Sequence, residues 1–390
     1  MASSISSSLT AHKTESWNAV FSLTVGVAGL IMAEFLPAGV LTPLARDLQV
    51  TEGMAGQAVT ATSILAVISS LSIAFLTRNL NRRTVLLVLS FLLTCSSVIV
   101  AMAPSFPFLL LGRVILGIAL GGFWSMAAAI TTRLVAEENV PKAISIIFGG
   151  SSFASVLAAP MGSYFGNILG WRNVFLIAAV VGLAAFIWQF MSLPSLEPKR
   201  NVKLRTTIDV LKKPQFTTAL LAIMFVFCGR FASFTYLRPF LEKTTGLSVN
   251  WISAVLLTFG LAYFVGNWFA PGMIKRNIRT ALAIPPFALA FVAMGILLLG
   301  HSLFATVVLI FIWGALFGPV APGWSTWVTR KVPEYAETAG GLYVASIQFS
   351  AAIGAFFGGV VFDHYGSAGV FLLSGLSWFL SSILVFSRKL

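Results

Sequence analysis

Apolar stretches of about 20 residues follow one another along this whole chain, and each is long enough to cross a hydrocarbon layer of about 30 Å. Uninterrupted runs of this length satisfy their backbone hydrogen bonds in such a layer as α-helices. The pattern predicts about twelve spans, at residues 17–40, 53–77, 84–103, 107–132, 142–166, 172–192, 215–237, 249–273, 279–300, 303–328, 339–362 and 367–387. Composition agrees. Of 390 residues, 58% are hydrophobic and 9% charged, against about 25% charged in soluble domains.

The first half of the chain rhymes with the second. Arg83-Thr84-Val85-Leu86 returns as Arg279-Thr280-Ala281-Leu282, and Val174-Phe175-Leu176 as Val370-Phe371-Leu372, the latter two segments each four residues after a glycine, Gly170 and Gly366. Thr132-Arg133 returns as Thr329-Arg330. The offset is 196 or 197 residues throughout. A membrane chain duplicated in parallel orientation is built as an alternating-access transporter, with its substrate site between the halves. The fold class expected is therefore all-α, twelve transmembrane helices in two pseudo-symmetric six-helix halves. The domains are residues 1–192 and 214–390, joined by a basic, proline-bounded cytoplasmic linker at 193–213.

Basic residues set the orientation. With both termini cytoplasmic, the outer loops hold only Arg46, Arg172, Arg238 and Lys243 of the 25 Lys and Arg. Two more, Arg113 and Arg230, lie within spans, and all the others fall on the inner side. That is a strong positive-inside bias. The net charge of +13 is accordingly a topology signal and an attraction to anionic lipid. No basic face with interleaved aromatics lies outside the spans, so nucleic acid is not an expected partner. The Ser-rich N-terminus runs into a full span rather than a removable signal peptide.

Chemistry-bearing motifs are few. His12, His301 and His364 lie far apart and suggest no metal site. Cys95 and Cys228 sit in different spans, without redox or metal spacing. A phosphate-cradling glycine loop is missing, as are a nucleophile elbow and paired carboxylates. The expectation is a transporter that is not an enzyme, carries no cofactor and works as a monomer. Gly117-xxx-Gly121, Gly162-xxx-Gly166 and Gly354-xxx-Gly358 read as close helix packing.

Three ionisable side chains fall inside spans: Glu34, Arg113 and Arg230. Such groups are costly in lipid and face a cavity or a partner. At 1.5 Å per residue, Glu34 and Arg113 reach similar depths in the outer half of the layer, on spans of the same half. Glu34 is the only carboxylate in the spans. It reads either as a proton carrier, loaded by burial and unloaded by a nearby cation, or as one member of a fixed ion pair. Arg113 reads as a proton-coupling partner or as a structural tie. Arg230, about 22 Å into its span, reads as a substrate contact, a partner of Glu34, or a cation snorkelling to the interface. Gln348 adds a neutral hydrogen-bonding group near the midplane. Phe123, Phe227, Phe231, Tyr236, Tyr263, Trp124, Trp313 and Trp324 are candidate cavity rings, suited to planar solutes and to Arg.

Three motifs resemble the major facilitator superfamily, in its twelve-span drug:H+ antiporter branch. Leu111-Gly112-Arg113-Val114-Ile115-Leu116-Gly117 is similar to the fourth-helix motif, whose arginine that resemblance links to proton coupling. Ser155-Val156-Leu157-Ala158-Ala159-Pro160-Met161-Gly162 resembles the fifth-helix antiporter motif, with Ala159 in place of a glycine. Thr77-Arg78-Asn79-Leu80-Asn81-Arg82-Arg83 stands where the family has a Gly/Asp/Arg loop, but lacks the Asp. Glu34-Phe35-Leu36-Pro37, Gly121-Gly122-Phe123-Trp124, Gly170-Trp171-Arg172-Asn173-Val174-Phe175, Phe234-Thr235-Tyr236 with Arg238-Pro239, and Gly323-Trp324-Ser325-Thr326-Trp327 resemble bacterial purine ribonucleoside efflux permeases. Residue 230 departs from them: a neutral polar residue is expected there, and this chain has Arg. The resemblance implies proton-coupled antiport that exports a small organic solute across the bacterial inner membrane. Purine nucleosides come first, with drugs or sugars as alternatives, and a nontransporting sensor as an unlike class.

Overall fold

A computed structural model describes residues 15–197, 211, 214–332 and 336–387. His12, Lys13, Lys199, Arg200, Lys203, Arg205, Lys212, Lys213, Arg388 and Lys389 lie outside the described residues, as does most of the expected linker. The described chain is helical, without strands. Its helices are α1 (Trp17–Asp47), α2 (Glu52–Leu76), α3 (Arg82–Ala101), α4 (Phe106–Leu134), α5 (Val140–Ile168), α6 (Trp171–Ser192), α7 (Pro214–Thr235), α8 (Leu237–Lys243), α9 (Val249–Arg276), α10 (Ile278–Leu299), α11 (Leu303–Phe317), α12 (Val320–Lys331) and α13 (Ala336–Ser387). Among the described residues, eleven helical stretches are long and apolar enough to cross a membrane.

The last stretch supplies two crossings. It reverses at Gly366, whose φ of +64° is open to glycine at little cost. Before the reversal, Gly354 abuts Cys228 and Gly358 abuts Ala232, so this arm runs with α7. After it, Trp378 Nε1 donates to Val226 O and Ser381 Oγ to Ala222 O, so the return arm runs against α7. Gly170, 196 residues earlier, turns the chain between α5 and α6 with φ +85°.

Other contacts repeat at the same offset. Arg83 Nη2 donates to Phe190 O, and Arg279 Nη2 to Phe386 O. Asn81 caps α3 through Arg83 N at 2.9 Å, and Asn277 caps α10 through Arg279 N at 3.0 Å. Gly117 and Gly121 lie against the carbonyls of Thr62 and Ala66, while Gly314 and Gly318 lie against those of Phe259 and Tyr263. A side chain at any of these four glycines would strike backbone, so their small size sets the helix separation. Equivalent residues thus make equivalent contacts in two parallel six-helix halves.

Two crossings are broken: the sequence reading ended the seventh span at 237, close to its break, and ran the tenth straight through. The seventh changes from α7 to α8 at Tyr236, ahead of Pro239. The tenth changes from α11 to α12 at Gly318-Pro319. The first break corrects the reading of Arg238 as an outer-loop charge: it is 3% exposed. Its Nε meets Glu242 at 2.8 Å, and its Nη1 donates to Gly39 O in the opposite half.

The halves are joined by hydrogen bonds gathered towards one end. Asp363 accepts from Thr51 Oγ1 at 2.7 Å and from Gly53 N at 3.0 Å. Lys243 meets Glu52 at 2.6 Å. Tyr236 Oη is bonded to Gly53 O and Ala355 O. Gln57 and Thr60 of α2 donate to Phe356 O and Ala352 O. The end carrying the α1–α2 junction is therefore sealed.

Candidate functional site

The site begins with two prolines in α1. A proline has no N–H for the carbonyl four residues back. Pro37 leaves Ala33 O free, and Arg113 Nη1 donates to it at 2.7 Å. Pro43 leaves Gly39 O free, and Arg238 takes it. Between them the helix kinks at Val40, with φ −121° and ψ 16°. Glu34 lies just before this kink, 5% exposed.

Arg113, 1% exposed, spends its fork on backbone. Besides Ala33 O, it reaches Glu34 O at 3.3 Å and, through Nε, Ala58 O at 3.1 Å. Thr62 Oγ1 donates to the Arg113 carbonyl at 3.1 Å. The expected contact between Arg113 and Glu34 is present, but with the Glu34 carbonyl. Among the described residues no ion pair joins the two side chains.

The Glu34 carboxylate instead accepts from Gln348 Nε2 at 3.3 Å. This bond crosses between halves, α1 to α13. Beside it is a small internal cavity of about 10 Å³, lined by Glu34, Phe35, Ala38, Val59, Phe231, Phe234 and Thr235. It is about the size that one water needs.

Arg230 lies above the same rings. It is 7% exposed, so it does not snorkel to the interface. Its guanidinium is 4.8 Å from the Phe234 ring, 5.0 Å from Phe317, 5.6 Å from both Phe35 and Phe259, and 5.8 Å from Phe231. Arg230 Nη1 is buried without a hydrogen-bond acceptor among the described residues. It makes no ion pair with Glu34 either, although it lies within electrostatic reach of that carboxylate. A cation held by ring faces retains its charge, but its in-plane N–H donors still lack lone pairs.

Of the other expected residues, Phe231 stacks on Phe35 at 6.2 Å and belongs to this cluster. Tyr263 stacks on Phe317 at 6.5 Å, next to Arg230. Trp313 is one ring further out, edge-on to Phe259 at 5.0 Å, and fully buried with Phe371 and Trp378. Phe227 meets Phe317 at 5.5 Å. Tyr236 is bound into the seal between the halves. Trp324 is buried against Trp327, Trp124 packs on Phe148, and Phe123 lies in the core of the first half. Those last four are not brought to the Glu34 cavity. The sequence reading missed Phe35, Phe234, Phe259 and Phe317. The spacing of residues 227, 231 and 234 on one helical face was the available signal.

A buried carboxylate and a caged cation, set between two parallel six-helix halves, suit a solute carrier. Residues 21–355 match the Major Facilitator Superfamily. The chain belongs to that superfamily. The chain is 44% identical over 372 residues to the purine ribonucleoside efflux pump NepI of Salmonella enteritidis, covering 95% of this chain and 94% of that protein. Identity to the NepI of Escherichia coli O1:K1 is 43% over the same length and coverage. Among solved structures, the D-xylose-proton symporter superposes with a TM-score of 0.80, over 95% of this chain and 97% of that one, at 14% identity. A bacterial homologue of the human lysosomal transporter Spinster, inward-facing and unoccupied, gives 0.74 over 95% and 94%, at 17% identity. Both support the fold alone. As a major facilitator protein, the chain is a multi-pass membrane transporter of a small-molecule substrate, and not an enzyme.

Proposed function

We propose that this transporter exports purine ribonucleosides in exchange for protons across the bacterial inner membrane. Its similarity to efflux pumps of that name along nearly the whole chain supports the substrate. The observation that carries the coupling is the bond from Gln348 to Glu34, which ties the one buried carboxylate among the described residues to the opposite half.

The cycle follows from that bond. The halves, residues 1–192 and 214–390, rock about the site through the linker at 193–213. With both termini cytoplasmic, as the basic residues favour, the sealed end faces outward. Rocking parts Gln348 from Glu34 and opens the carboxylate to the other side. An ionised Glu34 accepts hydrogen bonds from sugar hydroxyls, whereas a protonated one has given up part of that capacity. Proton and nucleoside then exclude one another, which is the condition for antiport. Arg113 acts as a positioning residue, holding the α1 backbone that carries Glu34. Arg230, Phe231, Tyr263 and Gln348 contact substrate, with Tyr236, Trp124, Trp313 and Trp324 framing the pathway as helices move. The working unit is a monomer in contact with anionic lipid.

Purified protein in proteoliposomes tests this reading. An imposed pH gradient should drive inosine and guanosine uphill, and should leave glucose and a cationic dye unmoved. Gradient-driven movement of the dye or the sugar, with nucleosides ignored, would contradict it.

A further inference from the structure

Arg230 Nη1 is a buried donor without an acceptor among the described residues. The guanidinium sits inside five phenylalanine rings, at 4.8–5.8 Å from their centroids. The rings stabilise its charge, yet Nη1 is buried and unbonded. Leaving a buried charged donor unsatisfied is costly, so the group is completed by an acceptor from elsewhere. Glu34, the nearby carboxylate, accepts from Gln348 and makes no ion pair with Arg230 among the described residues. An acceptor carried by a ligand would complete the group.

We propose that Arg230 reads the edge of the purine and makes the site selective for 6-oxopurine ribonucleosides over adenosine. This rests on the nucleoside reading above and goes one step past it, to which purine is carried. Arg has five donors and no acceptor. Inosine and guanosine present N7 and O6 side by side, two acceptors that match its fork. Adenosine presents N7 beside an amino group, so a donor meets a donor. The flat base has faces to stack on in Phe35, Phe231 and Phe234. Phe35 belongs to α1 and the other cage rings to α7, α9 and α11, so the cage is shared by both halves. Separating the Phe35–Phe231 stack, now 6.2 Å between centroids, admits the base beneath the cation.

Competition binding in proteoliposomes, with inosine, adenosine and purine riboside as probes, tests the assignment. Wild type should prefer inosine to adenosine by about tenfold or more, the usual worth of one bidentate base contact. Purine riboside, which keeps N7 but lacks both the 6-oxygen and the amino group, should bind more weakly than inosine and less weakly than adenosine, and this comparison needs no variant. In Arg230→Gln, whose amide can both donate and accept, the inosine preference should fall to roughly threefold or less, with adenosine gaining. Arg230→Lys should recover only part of the preference, because it lacks the fork. Equal wild-type affinities for inosine and adenosine would overturn the assignment while leaving the nucleoside reading standing, and so would a preference that survives Arg230→Gln. A wild type that binds no nucleoside at all would overturn both.

Discussion

Arg113 stands in for the backbone N–H that Pro37 lacks, donating to Ala33 O at 2.7 Å. The proline-interrupted turn of α1 that carries Glu34 is thereby held by a side chain of α4. That converts a fourth-helix arginine from an expected side-chain partner of Glu34 into a clasp on the backbone that carries it. Arg113→Ala would strand the buried carbonyl of Ala33, which Pro37 leaves without a helical donor, at a cost of about 1–3 kcal/mol. Pro37→Ala restores a helical donor to Ala33 O. In that background Arg113→Ala should therefore cost about 1 kcal/mol less. Thermal unfolding of the four proteins of this cycle measures the coupling, and strict additivity would speak against the clasp.

The sealed end should respond to loss of one carboxylate. Asp363 accepts from Thr51 and from the first turn of α2 at Gly53, where a negative charge is favoured by the helix dipole. Asp363→Asn should weaken the seal by about 1–2 kcal/mol. A cysteine placed at Ala38, beside the cavity, should then react faster with a membrane-impermeant maleimide added from the sealed side. Unchanged labelling would mean that the seal does not depend on Asp363.

The repeat makes a paired forecast. Gly117 and Gly314 occupy equivalent close approaches, to Thr62 O and Phe259 O. Replacing either by Ala forces two backbones apart and should cost about 1–3 kcal/mol. Similar losses of melting temperature in both are expected. A loss confined to one would indicate that the halves are packed differently there.

Much of this was legible in the chain itself. The offset of 196 that pairs Arg83 with Arg279 is matched by their contacts to Phe190 O and Phe386 O, because a duplicated sequence refolds into duplicated geometry. Glu34, Arg113, Arg230 and Gln348 stood out because polar groups in an apolar span need a reason to be there. The phenylalanine cage did not stand out. With 34 phenylalanines in the chain, type alone could not separate ring-on-cation positions from lipid-facing ones. Arg238 was misplaced because its burial depends on the break at Tyr236, which only tertiary packing reveals. Asp363 was not singled out in the sequence, since its partners Thr51 and Gly53 lie more than 300 residues away.

Outside the spans, Glu15 supplies a pH-dependent tie. Its carboxylate accepts from Asn139 Nδ2 at 2.7 Å, Trp17 Nε1 at 2.9 Å and Ala136 N at 3.1 Å. Asn139 foremost, then Trp17 and Ala136, hold this carboxyl below its usual range. A depressed folded value contributes stability that is present above the unfolded value, about pH 4.3, and lost as pH falls through the folded one. Glu15→Gln should therefore lower the melting temperature slightly at pH 7, and the difference should shrink as the pH is taken below 4. A gap that widens in acid would reverse the sign of the account.

The central claim is that Glu34 carries the exchanged proton, and Glu34→Gln tests it most directly. The amide keeps the shape and a hydrogen-bonding carbonyl, but cannot bind or release a proton. In proteoliposomes, nucleoside-for-nucleoside exchange should persist in this variant, while uptake against a gradient driven by pH should disappear. Wild-type pH-driven accumulation in Glu34→Gln would contradict the account, because another group would then be moving the proton.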